Sequence, residues 1–131
     1  ALGLIPVQGT GNAKADNYEK SVLEAGSTIS VQLARGDMEL SASGTVTYIQ
    51  GRKIYAFGHP FLSIGYTDLP LNKATVLTVI PSFRTSEKIS ATTDFLGSIK
   101  QDRATGIMGL MGENPTLIPV SIQLRKSRGG I

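Results

Sequence analysis

The chain has 131 residues, with 13 Lys and Arg against 10 Asp and Glu, a single His and no Cys. That is one domain's length, enough to bury a core without covalent staples, and it excludes a disulfide framework, a thiolate zinc site and a His-rich metal cage. Charged residues make up 18% and hydrophobic ones 40%, which excludes a disordered chain or a coiled coil, and the apolar runs are too short for a membrane-spanning helix.

In chain order, Asp16 to Glu24 is the only stretch with helix signals. Asp16 can cap it, Tyr18, Val22 and Leu23 can face inward, and Gly26 ends it. Thr28 to Leu33 alternates polar and apolar residues, as a half-buried strand does. After a turn at Arg35-Gly36-Asp37, Met38, Leu40 and Ala42 fall on one face, with Glu39, Ser41 and Ser43 on the other. Gly44 interrupts that alternation, as a bulge or barrel corner would. Val46 and Tyr48 lead to a polar reversal at Gln50-Gly51-Arg52-Lys53, and Ile54 to Phe57 return. Val46, Tyr48, Ile54 and Phe57 are expected to pack inward. The strand stops at Gly58-His59-Pro60, because Pro60 has no N–H to give to a ladder.

Gly65 to Pro70 reads as a loop, and Ala74 to Ile80 as a strand closed by Pro81. Lys88 to Thr92, Leu96 to Gln101 and Leu117 to Leu124 read as three more strands. The last contains Pro119 and so starts late or lies on an edge. Thr105 to Gly112 has the glycines of a tight apolar reversal, with Met108 and Met111 as core filling. Val, Ile and Thr number 31 and Gly 15, so short strands punctuated by glycine turns dominate. With no repeat and no low-complexity linker, residues 1–131 form one domain. The expected class is all-β, a closed or partly open barrel of short antiparallel strands with at most one short helix. The edge near Pro119 leaves both a monomer and an edge-paired dimer open.

His59 is the residue on which chemistry could rest. An imidazole at a strand end beside a polar loop suits a general base; the plainer alternative is a ring that closes a barrel end by bonding to backbone. Asp68, nine residues on, is the nearest carboxylate able to orient that ring, with Asp94 and Asp102 as others. Aspartates also make local turn hydrogen bonds, which would account for Asp68 and Asp102 equally well. None of the 12 serines lies in a Gly-x-Ser-x-Gly or Gly-x-Ser-Gly turn. Ser63 and Ser82 lie in loops expected near His59, but neither has the neighbours of a strained elbow. Covalent acyl chemistry by this chain alone is therefore not expected. No phosphate-cradling loop, metal-ligand set or cofactor motif is present in the sequence. The net charge of +3 carries no continuous basic stripe with interleaved aromatics, so no nucleic-acid partner is expected. The Arg125-Lys126-Ser127-Arg128 tail reads as a solvated terminus.

Two blocks carry a family resemblance. The first is Gly44-Thr45-Val46-Thr47-Tyr48, a turn at Gly51, then Ala56-Phe57-Gly58-His59. The second is Gly97-Ser98-Ile99 followed by Thr105-Gly106-Ile107-Met108-Gly109. In this order they resemble the SpoIVB-type sporulation serine peptidase domain, over about Ser27 to Gly112. The resemblance implies a trypsin-like barrel half in which His59 takes the place of the general base. The family's nucleophile lies in a Gly-x-Ser-Gly-type turn that this chain lacks, and Pro60-Phe61-Leu62 stand where the sporulation enzymes usually carry Gly. The Ala56 to Leu62 phrase looks more like a divergent envelope branch. The expected function is thus the His-bearing part of a serine endopeptidase domain, without activity as the chain stands, facing a protein or peptide. The alternatives are an active endopeptidase with an unidentified nucleophile, or a β-barrel binding or scaffold module of the bacterial cell envelope. A start at Ala1 points to a processed or excised chain, and the lack of Cys fits an extracytoplasmic bacterial setting: periplasmic, envelope or secreted.

Overall fold

The computed structural model describes residues 22–84 and 86–124. They form six antiparallel strands: β1 Thr28–Ala34, β2 Leu40–Gln50, β3 Lys53–Ala56, β4 Gly65–Ile80, β5 Glu87–Arg103 and β6 Gly106–Met111. The strands close into a barrel in the order β1-β2-β3-β6-β5-β4, so the expected all-β barrel is the observed class. Closure pairs each strand on both sides within the barrel, so edges remain only where a strand runs beyond it. Among the described residues there is no helix, and none therefore long and apolar enough to cross a membrane. The helix expected at Asp16 to Glu24 lies mostly outside the described residues; its last part, Val22 to Glu24, is irregular and leads into a turn at Ala25-Gly26.

The core comes from alternate positions of all six strands: Ile29 and Val31 of β1, Val46 of β2, Ile54 and Ala56 of β3, Leu71 of β4, Ile99 of β5 and Ile107 of β6. The barrel is narrow, and glycine makes room for the close approach of β5 and β6. A Cβ on the buried Gly97 would collide with the backbone carbonyl of Leu110.

Several expectations are corrected by the ladders. Gly65 to Pro70 is the start of β4, and the segments at Lys88 to Thr92 and Leu96 to Gln101 are parts of one long β5. Thr105 to Gly112 holds a short turn and then β6. Leu117 to Leu124 is not a strand, because it has no ladder partner among the described residues. Tyr48 is 56% exposed, not inward. A register shift between Val46 and Tyr48 reverses the alternation, so Ile49 packs on the core instead and Tyr48 stacks outside on Tyr55. A second shift, between Gln32 and Ala34, leaves Leu33 exposed, and Met38 and Leu40 are exposed where the β1–β2 hairpin ends.

Beyond Lys73, β4 leaves β1 and pairs with β5 alone, so Ala74–Ile80 and Glu87–Thr92 form a two-stranded ribbon. The ribbon is tied to β1 at its base, through Thr92, and to β2 near its tip, through Lys88. Thr92 Oγ1 and Ser30 Oγ share a hydrogen bond of 2.8 Å, and Lys88 Nζ donates to Thr45 Oγ1 at 3.3 Å. Polar Ser30 is consequently buried, and Gln32 accepts a 2.9 Å hydrogen bond from Asn72 Nδ2. Burial without lost hydrogen bonds is what makes a polar outer face tolerable there.

Candidate functional site

The barrel order forces the connection from β3 to β4 to cross the barrel mouth, since β6 and β5 lie between them. Residues 57–64 make that crossing, and His59 sits on it. The loop begins with two successive left-handed residues, Phe57 at φ 75° and Gly58 at φ 72°. For a bulky residue this backbone is an outlier that persists only where surrounding contacts impose it. Here they are visible. The Phe57 N–H donates to the Thr45 carbonyl at 3.0 Å, and the Phe57 ring covers Gly44 so closely that any Cβ there would strike it. Phe61 meets the same ring edge-on with centroids 5.7 Å apart.

The far side of the loop is fixed by Asp102, at the end of β5. Its carboxylate accepts from the backbone N–H groups of Phe61 at 2.8 Å, Leu62 at 2.7 Å and Ile64 at 3.3 Å. Asp102 is 2% exposed. Burial disfavours its charge, but the N–H donors of Phe61, Leu62, Ile64 and Ser63 outweigh that and hold the carboxyl below its ordinary value. It is an anionic clasp for a loop that has no ladder of its own.

His59 itself is exposed on this clasped loop. Its Nδ1 lies 2.8 Å from the Pro60 carbonyl. A carbonyl only accepts, so Nδ1 carries the proton and the neutral ring keeps its free lone pair on Nε2. That tautomer is the one a general base requires, oriented by backbone instead of a carboxylate. The ring also leans on Phe57, with centroids 5.6 Å apart.

The structure does not bring Asp68 to His59. The strand character of its segment places Asp68 within β4, where Lys100 Nζ and Ser98 Oγ each donate to Oδ1 at 2.6 Å and the Thr116 N–H donates to Oδ2 at 2.8 Å. Lys100 first, then Ser98 and Thr116, hold its carboxyl well below the usual carboxylate range. Ser63 is on the loop, at φ 58°, and Ser82 lies at the far end of the ribbon. Among the described residues no hydroxyl and no carboxylate is hydrogen-bonded to His59. Asp102 was legible only as one of several alternatives to Asp68; its real role depends on contacts about 40 residues away in sequence.

Beside the loop, from Gly58 along β3, β5 and β6, runs an open groove of about 220 Å³, with Thr47, Tyr55, Gln101, Arg103 and Thr105 among its walls. Arg103 is its charged group, and the guanidinium stacks 4.7 Å over the Tyr66 ring. Hydroxyls, an amide and a cation suit hydrogen bonding to a peptide backbone or a carboxylate. Among the described residues no three His, Asp or Glu converge as metal ligands. No protein-family model matches the chain, and neither does any curated protein or solved structure.

Proposed function

We propose that the chain is a SpoIVB-peptidase-like barrel that carries the histidine of a serine-endopeptidase site and does not by itself cleave peptide bonds. The observation that carries this reading is the His59 loop. It is bent through a left-handed Phe57, clasped by Asp102, and presents an exposed imidazole with Nε2 free. Backbone strain of that kind, held in place around a basic group, is characteristic of functional loops. The closed antiparallel barrel is the architecture that the resemblance implies. What His59 lacks is a hydroxyl to deprotonate and a carboxylate to stabilise its imidazolium, and nucleophilic catalysis needs the first of these at least. In this reading a protein or peptide lies along the groove beside Gly58, in an extracytoplasmic bacterial compartment.

Treatment of the folded chain with a fluorophosphonate probe tests it directly. The expected result is no labelling and no cleavage of an unstructured peptide mixture, with wild type and His59→Ala indistinguishable. Labelling that His59→Ala abolishes would overturn the inactive reading and establish an endopeptidase with its nucleophile within these residues. Peptide binding, followed by chemical-shift changes at Gly58, Gln101 and Thr105, is the positive expectation; its absence would remove the groove from the proposal.

A further inference from the structure

Two parts of the molecule lack the same thing. Residues 117–124 carry apolar side chains at Ile118, Val120, Ile122 and Leu124, alternating with Pro119, Ser121 and Gln123. This is the pattern of a strand with one buried face, yet the segment has no ladder among the described residues. Ile118 is 86% exposed and Leu124 95%. The β4–β5 ribbon has the complementary deficit. Among the described residues nothing pairs with the outer edge of β4 from Ala74 to Ile80, while Val76, Leu77, Val79 and Ile80 are exposed along it. Two-stranded ribbons are marginal in water, and an apolar edge of this length is a template for a third strand.

The segment cannot fill the edge of its own ribbon. Thr116 is tied to Asp68 by the 2.8 Å hydrogen bond to its N–H, which fixes the start of the segment at the barrel end of β4. Between there and Ala74 the edge of β4 is taken by β1, at Leu71, Asn72 and Lys73. At about 3.3 Å per residue, passing from the level of Asp68 to that of Ala74 consumes residues 117 to 122, so that of the segment's alternating apolar side chains only Leu124 is left to reach its own ribbon. Another molecule's ribbon has no such restriction.

We propose that residues 118–124 of one copy add as a third strand along Ala74–Ile80 of a second copy, and that the exchange, made twice about a two-fold axis, yields a dimer. The eight residues from Leu117 to Leu124 match the seven of the ribbon edge in length, and each copy offers both the strand and the edge, so the contact closes without leaving either unpaired. Backbone hydrogen bonds supply the ladder, and the alternate apolar side chains cover the exposed residues of the ribbon.

Light scattering on the full chain is expected to give twice the monomer mass, and the double variant Val120→Pro with Ile122→Pro to halve it. Because these residues lie outside the barrel, the variant is expected to keep the wild-type circular dichroism and thermal midpoint of the barrel, which separates loss of pairing from loss of folding. The chain has no Cys, so a mixture of Val79→Cys and Ile122→Cys copies, treated with a short bismaleimide, should give a cross-linked heterodimer. A wild-type chain that stays monomeric at high concentration would overturn the proposal. So would a dimer insensitive to the two prolines, or a Val79→Cys, Ile122→Cys double variant that cross-links within one monomer.

Discussion

His59 and Asp102 divide the work of the loop between them, one exposed and the other sealed. Removing the imidazole takes away a solvent-facing ring, so His59→Ala is expected to change stability by less than about 0.5 kcal/mol. Asp102→Asn should behave in the opposite way. An amide keeps one acceptor but turns an NH2 toward backbone N–H groups, which strands buried donors and costs about 2–3 kcal/mol. The loss should be local before it is global: amide exchange at Phe61, Leu62 and Ile64 should quicken while that of Ile29 and Val31 holds. Uniform exchange across the barrel in Asp102→Asn would mean that the clasp has no local role. Of this pair, only His59 could be placed from sequence, because Pro60 ends the strand beside it. Asp68 looked the better partner only by proximity along the chain; the strand that carries it turns it to Ser98 and Lys100 instead. Asp102 reaches the loop through the barrel's strand order, which no local pattern encodes.

Strands were legible where period two was clean, as at Ile29 and Val31 or at Val46 and Ile54, whose apolar positions do form the core. The failures have two physical sources. A bulge reverses the face of everything after it, which is how Tyr48 came to lie outside and Ile49 inside. A ladder also needs a partner as well as a pattern. Gly65 to Pro70 lacks strand character in sequence but is held by β5, whereas Ile118 to Leu124 has the character and no described partner. Glycine in the β5–β6 pair belongs to the same account. Gly97 faces the Leu110 carbonyl and the Met111 Cα, both backbone, so neither can rotate away from an added methyl group. Gly97→Ala is expected to cost more than about 3 kcal/mol, beyond the usual range for overpacking against side chains. Chemical denaturation would measure it, and a loss below about 1 kcal/mol would show that β5 and β6 separate easily.

For the molecule as a whole, two buried or half-buried carboxylates fasten irregular chain to the barrel: Asp102 holds the crossing loop and Asp68 holds the chain at Thr116. Both are held below the ordinary carboxyl value of 3.8 in the folded protein. A group with a depressed folded value binds its proton more readily when unfolded, so acid favours the unfolded chain. The stability these two contribute is therefore present in full above about pH 3.8 and is lost as the pH falls from there through the lower folded-state values. Above that range neither changes charge, and neither contributes any slope. Thermal midpoints followed from neutral to acid pH should be flat with respect to these groups and then fall steeply. In the Asp68→Asn, Asp102→Asn double variant the midpoint should start lower, and the acid limb should be shallower because two of the groups that produce it are gone. A double variant with the wild-type acid slope would mean that other carboxylates carry the acid response, and that the two fastenings do not link the barrel's stability to pH.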